Sequence, residues 1–258
     1  MRSMLRNKLA RVRGFTLVEV LVISPILILT IGGFVYVLTN IISDALVVRD
    51  TNGMIYDTQT ALDRIEQDAR LSTQFLTTSG TLPSPQGSDN NFAGTAAFTS
   101  GSNVLIMSTL STSANPLNPA RQVVYFTTPN PCDITQVYNA PLLTTVIYYI
   151  NNGSLYRRTY VPPWTTTSGP NQVCNAPWQQ NSCSPGYTNT TQCQTSDAKL
   201  MDNISSLTVA YCSSAGDTTC TTAATSATTI SATITASKTT AGQPVTNTAT
   251  LRASKLNN

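Results

Sequence analysis

One acidic side chain stands at the start of a long apolar run, where a charge is expensive. Glu19 is followed by the uncharged and mostly apolar residues 20–43. Placing a carboxylate in the hydrocarbon region of a membrane costs at least about 2.5 kcal/mol, so such an acid indicates a functional site. Glu19 is therefore a candidate functional residue, and the alternative is a carboxylate that reaches the membrane surface.

Cysteines form the second set of reactive side chains, and all six lie beyond the apolar run. They are Cys132, Cys174, Cys183, Cys193, Cys212 and Cys220. An even number on the exported side of a membrane favours disulfides. Metal binding is disfavoured because the chain has no histidine and the cysteine spacings fit no usual zinc motif. Cys212 and Cys220 are predicted to close one short loop, while the other four allow three pairings.

The chain lacks the residues that most hydrolases require. Without histidine, the usual serine, cysteine and metal-hydrolase arrangements lose their base or ligand. No P-loop or dinucleotide-binding fingerprint occurs. Five acids lie beyond position 80, where we expect solvated loop carboxylates: Asp89, Asp133, Asp197, Asp202 and Asp217. We therefore predict that the protein is no enzyme and holds neither metal nor cofactor.

Basic residues are concentrated at the amino end. Five of the 15 cations precede position 14, namely Arg2, Arg6, Lys8, Arg11 and Arg13. Without them, ten cations face all 12 acids, a side-chain balance of −2. Nucleic acid is therefore an unlikely general partner. The basic cluster is expected to stay on the cytoplasmic side of a membrane.

These reactive positions require a long helix and a separate folded head. As a helix, residues 20–43 would span about 36 Å at ~1.5 Å per residue, which is enough to cross a bilayer. Pro25 removes a backbone hydrogen bond and is expected to kink or locally melt this helix, and Gly32-Gly33 is a second weak point; the alternative is that the helix simply tolerates these residues. The pattern then becomes amphipathic, with Ile55, Leu62, Ile65, Ala69 and Leu76 at helical spacing, and Asn52-Gly53 as a possible interruption.

From residue 79 the sequence is typical of β structure. Candidate strands lie at residues 103–108, 122–127, 204–212 and 229–236. Residues 144–150 and 155–161 predict a hairpin, because Asn152-Gly153 between them suits the positive φ angles of a tight turn. For the Thr- and Ser-rich end of the chain two predictions stay open, edge strands and a flexible surface.

Residues 162–198 stand out as an insertion rich in proline and cysteine. They contain both tryptophans, Trp164 and Trp178, and three of the six cysteines, yet no convincing strand. Loops of this length inside a domain are usually functional or disordered. A surface flap held by disulfides is a third interpretation.

The segment Arg-Gly-Phe-Thr-Leu-Val-Glu at 13–19, between a basic leader and an apolar run, closely resembles the class III signal of type IV prepilins and type II secretion pseudopilins. In that family a membrane-embedded aspartyl peptidase cuts after the glycine and methylates the new terminal residue. The resemblance implies cleavage between Gly14 and Phe15 and an N-methylated Phe15. It also implies that Glu19 pairs with the amino terminus of a neighbouring subunit during assembly.

The same resemblance implies an α+β, pilin-like fold, with a long amino-terminal helix packed against an antiparallel sheet. The expected parts are a leader at 1–14, a membrane-spanning assembly helix at 15–43, an amphipathic stem helix at 44–78 and a β-rich head at 79–258. Residues 61–70, 146–158 and 203–211 look like the larger minor pilins, the PilW-like and J-type pseudopilin group.

The expected function is a minor pilin or pseudopilin that is anchored in the inner membrane and joins a filament at the cell surface or in the periplasm, in its priming or tip complex. Its expected partners are other pilin subunits, the prepilin peptidase, the inner-membrane assembly platform and the lipid bilayer. Two alternatives remain: a pilus-borne adhesin or DNA-uptake subunit that uses residues 162–198, and an uncleaved membrane-anchored enzyme. The choice among motility, competence and secretion machines is open.

Overall fold

The computed structural model describes residues 16–83, 86–87, 97–101, 103–127, 141–163, 172–173, 176–184 and 192–255. Two compact units divide the chain at residue 49, Met1–Arg49 and Asp50–Asn258. One long helix packs against antiparallel sheets, as expected for an α+β protein. The predicted leader, together with Gly14 and Phe15, lies outside the described residues.

Helix α1 runs without a break over Leu17–Leu71. Pro25 lies inside it, so the expectation that this proline melts the helix locally is wrong. Asn52-Gly53 does not interrupt the helix either. A single missing amide costs one hydrogen bond, and the helix continues on both sides of Pro25.

The stem helix ends seven residues before the predicted boundary at 78. Residues Ser72–Leu76 form strand β1 instead, which pairs antiparallel with β2. Phe75 is fully buried in this strand, and the Ser72 hydroxyl donates to the Ala69 carbonyl at 2.7 Å, where the helix ends. Pairing with a neighbouring strand, which helical spacing does not reveal, decides the conformation of these residues.

Within its described residues the head contains eleven further strands. They are β2 Val104–Leu110, β3 Phe126–Thr127, β4 Leu143–Asn151, β5 Ser154–Tyr160, β6 Gln172–Val173, β7 Ser182–Cys183, β8 Thr195–Ser196, β9 Ala198–Met201, β10 Ile204–Cys212, β11 Thr229–Thr240 and β12 Gln243–Ser254. One sheet has the order β1-β2-β4-β5-β9 and a second has the order β10-β11-β12. The pairs β3-β6 and β7-β8 form two small sheets.

The predicted hairpin is confirmed as β4 and β5, with Asn151 opposite Ser154. Its two turn residues, Asn152 and Gly153, have φ angles of 49° and 72°. Positive φ at both positions is what a two-residue turn matching the strand twist requires. Residues 103–108 and 204–212 are confirmed as strands, whereas residues 122–127 contain only the short strand β3.

The carboxyl-terminal part is a second hairpin rather than a flexible surface. Strand β11 continues four residues beyond the predicted end at 236, and β12 pairs with it over its whole length. Ala241 and Gly242 make the turn with φ angles of 50° and 79°. Apolar and hydroxyl residues largely alternate through β12 as well. This period of two is the sequence signal that could have predicted the strand.

The stem, residues 50–71, contacts the head through one face. Its buried residues are Met54, Thr58, Ala61, Leu62, Ile65, Asp68 and Ala69. Leu62, Ile65 and Ala69 are therefore placed as predicted, but Ile55 is 37% exposed. The side-chain amide of Asn247, on β12, donates to the Thr58 hydroxyl at 3.1 Å. Lys238 on β11 forms an ion pair with Asp50 at 2.9 Å. The stem thus makes polar contacts with both strands of the β11-β12 hairpin, through Asn247 and Lys238.

Candidate functional site

Glu19 caps the helix that it opens. Its carboxylate accepts hydrogen bonds from the Thr16 backbone amide at 3.0 Å and the Thr16 hydroxyl at 2.9 Å. In return, the Thr16 hydroxyl accepts from the Glu19 amide at 3.2 Å. This reciprocal arrangement is a capping box, in which two otherwise unpaired amides are satisfied. The signal was present in the sequence, as a threonine followed three residues later by a glutamate.

The helix beyond Glu19 presents apolar side chains on all sides. From Leu17 to Leu38 its large apolar residues are 40–81% exposed. The helix is long and apolar enough to cross a membrane. Exposure of this extent in water is far above what a folded monomer normally shows, so this segment is a candidate membrane span.

Two adjacent tyrosines on β4 point to opposite faces of the large sheet. Tyr148 donates to the stem carboxylate of Asp68 at 2.6 Å, whereas Tyr149 donates to Asp197 at 2.7 Å. Two adjacent arginines on β5 divide in the same way, since Arg157 pairs with Asp68 and Arg158 pairs with Asp197. Alternation along paired strands therefore builds one ion-pair network on each face.

The network on the stem face joins the helix to the sheet. Arg157 contacts Asp68 through two nitrogen atoms, at 2.5 and 3.2 Å, and also donates to the Thr159 hydroxyl. Although burial alone would lower it, the Asp68 carboxylate raises the pKa of Arg157. Burial first, and then the negative charge of Asp68, raise the pKa of Tyr148 well above its ordinary value. The network thus keeps Arg157 charged and Tyr148 neutral.

The second network lies entirely in the interior. The side chains of Arg158 and Asp197 are both fully buried and approach to 2.7 Å. Asp197 also accepts from the Ser182 hydroxyl at 2.7 Å, and Arg158 donates to the Ser184 hydroxyl at 2.7 Å. The guanidinium lies 5.0 Å from the centre of the Tyr149 ring. Every charge here has a partner, which is the condition for tolerating buried ions.

Two expectations need correction at this network. Asp197 is not a solvated loop carboxylate but a buried counter-ion. The insertion at 162–198 is not simply a surface flap, because its residues Ser182, Ser184 and Asp197 surround Arg158. It also contains short strands, β7 and β8 among them. Sequence spacing gave no sign that Asp197 would meet Arg158, 39 residues away.

The remaining head carboxylates within the described part of the chain are exposed or lie in turns. Asp202 pairs with Lys199 at 2.9 Å. Asp217 accepts five hydrogen bonds from Ser213, Thr219 and Cys220, and the bonds from Ser213 and Thr219 lower its pKa. Asp89 and Asp133 lie outside the described residues. No group of three metal-ligating side chains occurs among the residues that were placed.

Two disulfides are present in the described part of the head. Cys212–Cys220 closes the short loop that the spacing predicts, and Cys183–Cys193 links residues within the insertion. Cys132 and Cys174 lie outside the described residues, and they are the only pair left for a third bond within the chain. Disulfides of this kind indicate an oxidising compartment.

The pKa shift of Tyr148 predicts a loss of stability in alkali. A group whose pKa is raised by folding stabilises the fold fully below its unfolded value, about 10 for tyrosine, and loses that contribution as the pH rises toward the folded pKa. Urea unfolding of the full-length protein in detergent should therefore show a free energy of unfolding that falls above about pH 10.

The variant Tyr148→Phe tests this assignment. It should be less stable at pH 8, since Asp68 loses a donor and an unmade buried bond costs about 1–3 kcal/mol. Its stability should then change less steeply between pH 9 and pH 11 than that of the parent. Tyr125→Phe, at an exposed ring, is the control. An alkaline slope identical in Tyr148→Phe and the parent would contradict the prediction.

Comparison with protein-family models finds no match, and comparison with curated proteins finds none. The structure itself defines a class: an α+β protein whose amino-terminal helix is a candidate membrane span and whose disulfide-bonded head contains two main antiparallel sheets.

Proposed function

We propose that this protein is a minor pilin or pseudopilin, a structural subunit that enters the inner membrane, is cleaved after Gly14 and joins a type IV pilus or type II secretion filament. The observation that carries the proposal is the uncovered apolar helix with one carboxylate in its first turn. The capping box accounts for a polar side chain at position 19 but not for its charge, because glutamine would serve the cap as well and a charge opposes insertion. A helix that packs among identical or related helices uses it for pairing.

In this function the helix acts twice. First it is the signal that holds the subunit in the membrane, with the basic leader on the cytoplasmic side and the head in the oxidising compartment where its disulfides form. After cleavage it becomes the assembly element. The Glu19 carboxylate then pairs with the methylated amino group of a neighbour, which fixes the axial position of each subunit. The expected partners are other subunits, the peptidase and the assembly platform.

The test is the intact mass of the protein recovered from sheared filaments. We expect a chain that begins at N-methylated Phe15 and has lost six hydrogens to three disulfides, Cys132–Cys174 included. A Gly14→Val variant should remain uncleaved, because a branched side chain keeps the scissile bond away from the peptidase. Recovery from filaments of a parent chain that retains Met1 would overturn cleavage, and absence of the chain from filaments would overturn assembly.

A binding module displayed on the filament is a second candidate. It is favoured by Trp178, an insertion residue whose side chain is 49% exposed beside a groove lined by three arginines. Deleting residues 162–198 is a poor test of this candidate, because it removes Asp197 from the buried Arg158. Point substitutions in the groove are the sharper choice, and they should reduce attachment while leaving filaments intact.

A further inference from the structure

A groove in the head lies between the end of the stem, strands of the large sheet and the insertion. It encloses about 510 Å³, which is within the range of small-molecule binding sites. Its charged lining residues are Arg64, Asp68, Arg121 and Arg157. Three guanidinium groups thus face one carboxylate, and the groove carries an excess of positive charge.

That positive charge is available to a ligand because only one of the three arginines forms a close ion pair with Asp68. Arg157 is held by Asp68, whereas Arg64 is 3.9 Å from the same carboxylate and 40% exposed. Arg121 is exposed, donates only to the neighbouring Asn118 carbonyl at 3.3 Å, and forms no ion pair within the described part of the chain. Guanidinium groups in this state bind carboxylates in a planar, two-point manner.

The groove also offers an exposed aromatic side chain, Trp178, whose backbone is hydrogen-bonded to the neighbouring chain segment. Trp178 is 49% exposed and Leu117 is 69% exposed. Among the described large apolar residues outside helix α1, only Tyr125 is exposed as well. The Trp178 amide donates to the Thr112 carbonyl at 2.7 Å. The adjacent Gln179 side chain accepts from the Thr112 amide at 2.9 Å and donates to its hydroxyl at 3.1 Å. The backbone that carries the indole is therefore held against Thr112.

Amide side chains complete the lining. Gln67 and Gln180 both border the groove and are exposed. Within the described residues, Gln67 accepts one bond from Arg64 and donates none, and Gln180 has no side-chain hydrogen bond. Each amide supplies a donor and an acceptor side by side, which matches the adjacent hydroxyl groups of a sugar ring.

We propose that this groove binds an acidic oligosaccharide, with a sugar carboxylate on Arg64 and Arg121 and the apolar face of the ring against Trp178. A protein partner is a poorer fit, since a stable protein interface needs about 800 Å² on each side and the groove is small. Single-stranded DNA, which would present phosphate groups to the same arginines, is the competing ligand in the test. The proposal rests on the second candidate function, a binding module. Ligand binding by the isolated protein does not depend on filament assembly.

The test uses the full-length protein in a non-glycosidic detergent, with Trp164→Phe so that Trp178 is the sole tryptophan. The probes are trigalacturonate and a hyaluronan tetrasaccharide, and the control ligand is the methyl ester of trigalacturonate, which keeps the sugar rings and their hydroxyl groups but lacks the charges. We expect saturable quenching of Trp178 by at least one acidic probe and much weaker binding of the ester. Calorimetry should give the same affinity as fluorescence.

Matched variants locate the site. Arg121→Gln and Arg64→Gln should each weaken binding roughly 10- to 100-fold, as expected when one charge-assisted bond is lost, and Trp178→Ala should abolish it by calorimetry. Arg70→Gln, on the same helix but outside the groove, and Tyr125→Ala should bind like the parent. Absence of binding to both acidic probes, equal binding of the ester, or binding of single-stranded DNA in their place would overturn the proposal. None of these results would bear on Glu19 or on filament formation.

Discussion

Replacing Asp197 with alanine is expected to lower the free energy of unfolding by about 3–5 kcal/mol. The substitution leaves the fully buried Arg158 guanidinium without its counter-ion, and it also removes the acceptor used by Tyr149 and Ser182. An uncompensated charge in the interior is among the few single changes that cost this much. Since domains of this size are stable by about 5–15 kcal/mol, the variant should be largely unfolded at moderate urea concentrations.

Two controls separate this effect from a general loss of charge. Asp202→Ala removes one partner of an ion pair whose side chains are half exposed, and we expect little change because such pairs contribute little. The double variant Arg158→Met with Asp197→Leu removes both buried charges and should recover much of the stability. Urea unfolding followed by near-ultraviolet circular dichroism measures all three. Equal stability of Asp197→Ala and Asp202→Ala would show that Asp197 is not the required counter-ion.

Replacing Glu19 with glutamine is expected to stop incorporation of the subunit into filaments while leaving the helix cap intact. Glutamine serves the capping box as well as glutamate does, so this change removes the charge and little else. If Glu19 pairs with a neighbouring amino terminus, loss of one partner of a desolvated pair costs about 3–5 kcal/mol. Such a loss reduces incorporation about 100- to 3,000-fold, which immunoblots of sheared filaments would detect.

A second substitution, at Thr16, tests the helix cap separately from the charge. Thr16→Val removes the hydroxyl that bonds Glu19 and leaves the carboxylate in place, at a helix cost of about 1 kcal/mol. We expect this variant to be cleaved and incorporated at nearly the parental level. Normal incorporation of Glu19→Gln together with failure of Thr16→Val would assign Glu19 to the cap alone. Both variants should be cleaved after Gly14, and an uncleaved chain would show that the change acts on the peptidase step.

Local sequence signals were sufficient where one element determines its own conformation. The apolar run predicted the first part of α1, and Asn152-Gly153 predicted the β4-β5 turn, because positive φ at both residues is a local requirement. The loop closed by Cys212–Cys220 followed from short separation. The signals failed where a partner distant in the sequence decides. Residues 72–76 continue the helical spacing of the stem, yet pairing with β2 makes them a strand.

The candidate sites follow the same division. Glu19 was identifiable because its apolar surroundings are contiguous in sequence, and so was its cap, which spans only three residues. The counter-ion role of Asp197 was not identifiable, since Asp197 and Arg158 meet only when the insertion folds back over the sheet. The groove is similar, because Arg64, Arg121 and Trp178 come from three separate parts of the chain.

The paired tyrosines and arginines of the β4-β5 hairpin have one more consequence. Because neighbouring residues on a strand face opposite sides, a shift of one position would turn each buried side chain to the other face. A shift in one direction would put Arg158 in the position that Arg157 now occupies beside Asp68, and a shift in the other direction would put Arg157 in the position of Arg158 beside Asp197. In either case one carboxylate would keep a cation, whereas the second arginine would lie two strand residues, about 7 Å, from the position of the lost partner. Only the observed alignment therefore pairs both carboxylates.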